Sequence, residues 1–598
     1  MAPPDRQYDH IVVGSGAAGG TVAARLAEGG RRVLVIEAGP DPLAPGSPGA
    51  DHYSVPAFHA LASEDPSFSW NQKVSHFEDA ASAAKDGKAK DGQILYPRAG
   101  ALGGCTAHNA MIFLTPPDED WAEMEKETGD SGWSPAAMKV HRRSIERCRH
   151  RPFWRLLARL GFNPTGHGWD GWLPVEKAVP ARAVSDAALM RSLFLASLSE
   201  LGRAGLSDRL RAFISDWGDP NDLRRAREDQ LCYLPLATDR HARYGTRERL
   251  RSVKPGPEGA LDIATDTLAT RLIFAGKRAA GVEWLAGPHL YRASPLSPGT
   301  GPGKEGHSLA ARSVILAGGA FGTPQLLMLS GVGDPDHLRS IGIEPEFELP
   351  EVGRNLQDRY EISIVHRMAR PWKSLVGARV SSDDPLYRRW RRWRRGMYVS
   401  NGTTLAALRR SSGASGSDPD LVLMGLMGRF SGYFPGYADT CWPGLDAFSW
   451  AVLKGRTGNR SGTVRLASRD PRDPPKVEFR NFGEHGEKDL DALVEGVAMV
   501  RSMMRPLLET GEIAEEEIPG RSLDGEALRN WVRSNAWGHH ACGSAAIGPV
   551  LDARGRVRGV DGLRVVDASI FPRIPGLFIV AAIYLAAEKL ASDILAEP

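Results

Sequence analysis

The first clear pattern in the chain is an apolar run at residues 11–13 that stops on Gly14, Gly16 and Gly19 and passes into an alanine-rich stretch, residues 17–27. The run predicts a buried parallel strand, the glycines a sharp turn, and the alanine stretch a helix lying against the strand. A second apolar run, residues 32–36, closes on Glu37 and completes a βαβ unit. Residues 267–274 and 278–284 read as two strands with a short turn between them, and residues 313–317 as a strand that ends on Gly318 and Gly319. Residues 420–425 and 462–468 are patterned like strands, whereas residues 488–504 repeat their apolar positions at helical spacing. Between these elements the periodicity fails twice. Residues 40–90 predict a long excursion over the first domain, of the kind that serves as a lid or an oligomer contact, with the charged residues 84–91 as solvated surface. Residues 287–306, rich in Pro and Gly, predict a flexible surface insertion. Leu386, Trp390, Trp393 and Met397 form an apolar stripe flanked by the arginines of residues 388–395. Two readings stay open: a surface helix with its tryptophans packed inward, or a site for an anionic partner or a membrane surface.

Composition narrows the class. A chain of 598 residues is long enough for about three to five domain-sized units. Its 42% hydrophobic and 25% charged content is that of a soluble globular protein. A formal charge of +3 gives no pull toward nucleic acid. No apolar run approaches the roughly 20 residues of a membrane span, and no hydrophobic signal region precedes the first strand, so the expected location is the cytoplasm. Five cysteines without a C-x-x-C pair indicate neither a disulfide framework nor a cysteine zinc site, and no metal is expected.

The opening βαβ unit has a chemistry of its own. Gly14 permits the tight turn, Gly16 lets the main chain approach phosphates, and Gly19 lets helix and strand pack closely. The helix N-terminus at Ala17 and Ala18 offers unpaired N–H groups to a pyrophosphate. Glu37, followed by Ala38, is placed to accept hydrogen bonds from ribose hydroxyls, and its charge disfavours a 2′-phosphate. Farther on, Gly103-Gly104-Cys105-Thr106-Ala107-His108-Asn109 runs into Ala110-Met111-Ile112. Such a glycine pair brings backbone close to something flat or charged; the alternative is a turn before a core element, with His108 a satisfied interior histidine.

These two segments, with Asp118-Glu-Asp-Trp121, Gly132-Trp133-Ser134, the run from Gly319 through Thr323-Pro324 to Gly333, Asn355-Leu-Gln-Asp358, His540-Ala-Cys-Gly543-Ser544, Asp567-Ala568-Ser569 and Glu588-Lys589, resemble the glucose-methanol-choline flavoprotein oxidoreductases along essentially the whole chain. The resemblance implies an α/β chain (α+β overall): a Rossmann-like FAD-binding domain with a parallel sheet, and a substrate domain with a mostly antiparallel six-stranded sheet flanked by helices. It divides the chain into FAD-binding parts at 1–160, 231–345 and 531–598 and substrate-domain parts at 161–230 and 346–530. Besides the opening glycines, Glu37 and Ala38, it assigns FAD contacts to Arg98, Gly103, Gly104, Thr106, His108, Asn109, Ala110, Met111, Gly318, Asp567, Ala568 and Ile579, and main-chain contacts with the adenine to Leu268. His108 matches the position that some members bond to the flavin 8α-methyl, so an 8α-histidyl link is expected, with a buried non-covalent histidine as the alternative. Cys105 and Cys542 are expected near the flavin as small packing residues.

The implied reaction is oxidation of an alcohol CH–OH by hydride transfer to flavin N5, with His540 as the base and His539, pointing elsewhere along an extended segment, ranked second. A neutral imidazole can accept a proton near pH 7 with little tuning of its pKa. The family's second catalytic His or Asn falls on Phe578, which cannot hydrogen-bond an alkoxide. An apolar wall at Phe578, Leu577 and Ile579 favours a lipophilic or aromatic alcohol over a sugar or choline. The electron acceptor, oxygen or another, and the oligomeric state stay open. The altered segment keeps two rival readings: other flavin chemistry, such as dehydrogenation or a light-driven reaction on a natural product, and a flavin-binding protein that has lost catalysis.

Overall fold

The computed structural model describes residues 7–177, 186, 193, 218–224, 229–299, 301, 303–381 and 383–597. Two sheets organise them. In the first, the strands Ala260–Ala264, Arg32–Ile36, Tyr8–Val13 and Lys304–Leu316 lie side by side and parallel, and Leu563–Val565 pairs parallel with residues 314–316. Tyr8–Val13, Arg32–Ile36 and the end of Lys304–Leu316 are buried on both faces and so need continuous apolar runs rather than alternation. The helix Ala17–Glu28 and the C-terminal helix Ile579–Ala596 pack against each other over this sheet. The strands Thr267–Ala275 and Arg278–Ala286 add to it antiparallel, on the early half of Lys304–Leu316.

The second sheet is antiparallel throughout, in the order Ile513–Ile518, Tyr360–Met368, Ala447–Lys454, Leu421–Met427, Thr403–Arg409, Gln230–Cys232. Its two faces do different work. Leu421, Leu423, Trp450 and Val452 pack on the long helix Glu487–Glu509. Val422, Leu453, Ala406 and Leu408 face the other way, onto Met111, Ile112, Leu577 and Phe578. The period of two thus places one face of this sheet over the segments that carry the predicted chemistry.

Several expectations change. Residues 462–468 supply only the short strand Thr463–Arg465, paired with Lys476–Glu478 in a separate hairpin, because the chain turns there before it can join the large sheet. The predicted excursion at 40–90 is built of short helices, Ala50–Ser54 and His59–Glu64, and the strand Ser69–Val74, which pairs with Ile94–Ala99. Within residues 84–91, Asp86 is buried beside His76 at 2.9 Å, and the Lys88 ammonium lies over the Trp537 ring, so neither is solvated surface. Of the expected flexible insertion at 287–306, Leu290, Tyr291 and Ala293 are buried, and Lys304 already begins a long strand. The arginine-rich helix, Pro385–Trp393, buries Tyr387 and Trp390, but Trp393 is 61% exposed. The helix stops there in a left-handed turn at Arg394, and Met397 is buried only after that turn; inward packing holds for Trp390 alone of the two tryptophans. Much of the expected segment 161–230 lies outside the described residues. Among the described residues, no helix is long and apolar enough to cross a membrane.

Candidate active site

One cavity runs from the edge of the first sheet to the underside of the second. It opens at the first glycine loop. Gly14 has φ +99°, and a Cβ there would lie 2.4 Å from the Ala317 carbonyl oxygen; one on Gly19 would lie 2.0 Å from the Gly14 oxygen. Gly16 is different: a Cβ there meets nothing nearer than 3.9 Å, so the side open to the cavity is kept clear beside the unpaired N–H groups at the start of Ala17–Glu28.

Glu37 is buried and already engaged. Its Oε2 accepts hydrogen bonds from Ser15 N–H at 3.0 Å and from Ser15 Oγ at 2.5 Å, and its Oε1 accepts one from Gly39 N–H at 3.1 Å. Burial pushes its carboxyl up to about 7. Glu37 therefore shapes the glycine loop as well as facing the cavity. Gly103 N–H donates to Ser15 Oγ at 2.9 Å, and the Thr246 hydroxyl donates to Ser15 O at 3.1 Å. These bonds join the two glycine loops back to back, with a Cβ on Gly104 only 2.7 Å from Gly16 Cα. Arg243, buried, donates from Nη1 to Thr106 O, Asn109 O and Asn109 Oδ1 and so pins the second loop from behind. Asp567 plays the same part at the far strand end, accepting from Gly319 N–H at 2.9 Å and Thr323 Oγ1 at 2.5 Å.

At one end of the cavity Leu268 and Ala38 are joined by Trp70 and Tyr291, whose rings lie 4.6 Å apart. Near the middle, Arg98 spans the Tyr96 and Phe321 rings and donates to Cys105 Sγ at 3.7 Å. Burial opposes ionisation of this thiol, but Arg98 and His108 outweigh it and bring it down to about 5. Cys105 is therefore more than a packing residue. His108 Nε2 and Arg98 Nη2 are buried without a protein partner, and both residues line the cavity. A planar ligand rich in acceptors would meet those donors, and the clear flank of Gly16 would admit its phosphates. The residues present fit an adenine-dinucleotide flavin.

The other end carries the two histidines. The segment 537–542 pairs with 357–361 through the bridges Trp537 to Glu361 and Cys542 to Gln357. Between them, Asp358 accepts from His540 N–H at 2.8 Å and from Tyr96 Oη at 2.5 Å, while Ala541 N–H donates to Tyr96 Oη at 2.8 Å. The short loop between the bridges replaces the extended run on which His539 was expected to point away. Its ring lies 4.0 Å from that of His540, and both line the cavity. Phe578 meets the His540 ring edge to face at 5.7 Å, and Tyr433 meets the His539 ring at 5.0 Å. Glu361 Oε1 is 3.3 Å from His539 Nδ1 and 3.9 Å from His540 Nδ1. Burial, with help from Asp358, pushes Glu361 up to about 8. Burial also pulls His539 down to about 3, and burial with His539, Arg359 and Arg98 holds His540 well below the ordinary imidazole value. The expectation of little tuning therefore fails: this end of the cavity keeps both rings neutral by removing water.

Of the predicted residues, Gly14, Gly16, Ala17, Ala18, Glu37, Ala38, Arg98, Gly104, Thr106, His108, Asn109, Ala110, Met111, Leu268, Gly318, Asp567, Ala568, Phe578, Ile579, His539 and His540 all line this one cavity. Gly19 and Gly103 stand behind it, at the contacts their missing side chains permit. Leu577 packs against Met111 and Ile112 in the apolar cluster below and forms no part of the wall. Sequence reasoning missed Tyr291, Trp70, His59 and Tyr433, which come from segments read as loops or left unread, and Glu361. Only Glu361 left a signal: an acid at the start of the largely apolar strand Tyr360–Met368.

The family profile of GMC oxidoreductases matches residues 8–361, and its C-terminal counterpart matches residues 458–587. Among curated proteins, the oxygen-dependent choline dehydrogenases of Stenotrophomonas maltophilia (strain K279a) and Xanthomonas euvesicatoria pv. vesicatoria (strain 85-10) are 27% and 28% identical, over 98% and 99% of this chain and 95% and 96% of theirs. Among solved structures, a variant formate oxidase of Aspergillus oryzae RIB40 superposes with a TM-score of 0.77 at 21% identity, covering 99% of each chain. A pyridoxine 4-oxidase from Mesorbium loti gives 0.73 at 21%, covering 99% of this chain and all of the other.

Proposed function

This chain belongs to the GMC oxidoreductase family, whose cofactor is FAD, and from that premise we propose that it oxidises the CH–OH group of a lipophilic or aromatic alcohol with His540 as the base. The observation that carries the reading is the apposition of His540, His539 and Phe578 at one end of the cavity. FAD would be held by the glycine loop and helix start at residues 14–18, by Glu37 and Ala38 with Leu268, by residues 104–111 with Arg98, and by Gly318, Asp567, Ala568 and Ile579. When bound it supplies the hydride acceptor.

The protein's own task is the proton. His540 Nδ1 is the ring nitrogen on the Glu361 side, which leaves Nε2 to accept the hydroxyl proton from the alcohol. With its pKa held well below the ordinary imidazole value, His540 is unprotonated at neutral pH, as a base must be before it accepts a proton. Phe578 cannot hold the developing alkoxide, and His539 takes that part. Glu361 Oε1 and His539 Nδ1 lie 3.3 Å apart without a formed hydrogen bond; a carboxyl neutral near pH 7 would donate its proton to that nitrogen on closer approach, so the imidazole proton would sit on Nε2 as a hydrogen-bond donor. Phe578, Tyr433 and Ile579 line this end with aromatic and aliphatic surface and exclude water, which favours an apolar alcohol.

His108, with Nε2 unpartnered, supports an 8α-histidyl link; acid precipitation should leave the yellow colour with the protein pellet. The reaction is tested by an anaerobic screen of alcohols for loss of flavin absorbance. Benzylic and allylic alcohols should bleach the flavin faster than glucose or choline. Equal rates would count against the apolar pocket, and bleaching by no alcohol would favour a flavin protein without this activity.

A further inference from the structure

A second set of reactive side chains lies outside this cavity. Glu146, Cys148, His150, His167 and Asp219 are all buried, their side chains at most 5% exposed, and none of them lines the flavin cavity. They come from separate pieces of chain. Glu146 and Cys148 sit on the strand Glu146–Cys148, paired parallel with Leu173–Glu176. His167 lies on the loop that returns to that second strand, and Asp219 on a loop far along the sequence. The His167 loop is clamped to the strand: Gly168 N–H donates to Glu146 Oε2 at 3.1 Å, Cys148 N–H donates to Gly168 O at 2.9 Å, and a Cβ on Gly168 would lie 2.4 Å from Arg143 O.

The donor atoms converge. Those of Glu146, Cys148 and His167 all lie within 4.8 Å of one another. His167 Nδ1 is 2.8 Å from Glu146 Oε1 and 3.2 Å from Arg142 Nη2, whereas His150 Nδ1 is 3.2 Å from Val175 O and its two ring nitrogens lie 3.7 and 3.8 Å from Cys148 Sγ. On the opposite edges of the two rings, His150 Nε2 and His167 Nε2 lie 2.9 and 3.2 Å from the same oxygen, Asp219 Oδ2. One carboxylate thus holds both imidazoles by Nε2 and turns both Nδ1 atoms away from itself. The other oxygen, Asp219 Oδ1, accepts from Asn221 N–H at 3.0 Å.

We propose that Glu146, Cys148 and His167 form a structural site for one divalent cation of the zinc class, and that Asp219 orients His167 from behind, while Val175 O and Asp219 Oδ2 hold the two nitrogens of His150 beside it. A thiolate, an imidazole and a carboxylate together suit zinc better than magnesium or calcium, and a carboxylate behind a ligating imidazole is the usual outer support. An ion-pair network alone would need the carboxylates and the imidazoles but no sulfur among them. The site is closed to solvent, as structural zinc sites are. It would staple the strand to the loop that carries Asn221, whose side chain accepts from Thr115 N–H at 2.9 Å and donates to Phe113 O at 2.8 Å. Residues 110–112, next to that contact, line the flavin cavity.

The test is metal analysis and native mass spectrometry of the purified flavin-loaded enzyme after incubation with zinc and removal of free ion. About one equivalent of zinc per chain is expected. Cys148→Ser and His167→Gln should each lower it below about a tenth of an equivalent, with flavin per chain unchanged. His539→Ala should keep its zinc, which separates this site from the Glu361, His539 and His540 cluster in the cavity. Should the two variants fail to fold, cadmium titration of the wild-type enzyme decides, since cadmium at Cys148 produces an ultraviolet thiolate charge-transfer band. A zinc-free wild-type enzyme, full retention of zinc by Cys148→Ser, or no such band would overturn the proposal.

Discussion

Two pairs of neighbouring histidines sit among the described residues, and their surroundings drive them to opposite states. His539 and His540 face one buried acid, Glu361, and arginines lie near them; burial and those arginines keep the rings neutral, and Glu361 itself is pushed up to about 8. His150 and His167 face Glu146 and Asp219. Burial opposes charge there too, but Asp219 and Cys148 push His150 up to about 10, and His167 with Arg142 brings Glu146 down to about 2. Burial is common to both pairs, so it does not decide. What differs is which acids touch the rings: Glu146 and Asp219 oxygens lie within 3.2 Å of the imidazole nitrogens of one pair. At the other pair only Glu361 approaches the rings, at 3.3 and 3.9 Å, and the neighbouring acid Asp358 makes it easier for Glu361 to keep its own proton. One site is built to hold positive charge and the other to move a proton through neutral groups.

The largest effect that would break this contrast is at His540. His540→Ala should lower kcat by about a thousandfold while flavin content stays at the wild-type level, read by stopped-flow bleaching with the best alcohol from the screen. An active variant would remove the base from the proton-moving site. Next comes Glu146→Gln, which withdraws one of the two charges that define the other pair. Leaving a buried cationic cluster undercompensated should cost about 3 kcal/mol of unfolding free energy, measured by denaturant melts. A neutral result would mean that the carboxylate count does not matter there.

A smaller effect comes from acid. The folded pKa of His539, about 3, lies below its ordinary value near 6.5, so below pH 6.5 the unfolded chain binds the proton that the folded chain refuses. Stability therefore falls as pH drops from 6.5 toward 3, by at most about 1.4 kcal/mol per pH unit for that group. Melting of wild type and His539→Gln between pH 7 and pH 4.5 checks it. The wild type should lose more stability on acidification than the variant, and parallel losses would show that His539 does not resist protonation.

The sequence carried the parts of this picture that are local. The glycine spacing from Gly14 to Gly19 needs only neighbouring backbone to specify its turn, and the continuous apolar run in residues 421–424 is set by a sheet with two buried faces, so both could be read directly. The cavity's glycine loops, His108, His540 and Phe578 were legible because each lies in a short motif. Tyr291 and Trp70 were not, because a run rich in Pro and Gly hides two aromatic residues whose partnership is formed across more than two hundred positions. The cluster at Cys148 escaped for the same reason. Its cysteine has no paired cysteine, and the histidines and acids that surround it are assembled by strand pairing and a loop far away, which no spacing rule contains. His539 was misplaced because a side chain's direction was inferred from an extended strand that the fold interrupts between two bridges.

The finest distinction between the two pairs is the proton on Glu361, and Glu361→Gln isolates it. If the acid is neutral at pH 7, glutamine is close to it in shape and charge, and its amide can still donate toward His539 Nδ1. The variant should then keep kcat within about threefold at pH 7, whereas Glu361→Ala, which leaves His539 Nδ1 without its donor, should lose more. The pH profile separates the cases further. In wild type, loss of the Glu361 proton near pH 8 places a negative charge beside both rings and lets His539 carry its proton on Nδ1, facing the carboxylate, so activity should decline above that pH; in Glu361→Gln that alkaline limb should be gone. A collapse of activity in Glu361→Gln already at pH 7 would mean that the acid works as an anion. The two histidine pairs would then differ in degree only, with the flavin-side pair drawing on negative charge just as the pair beside Cys148 does.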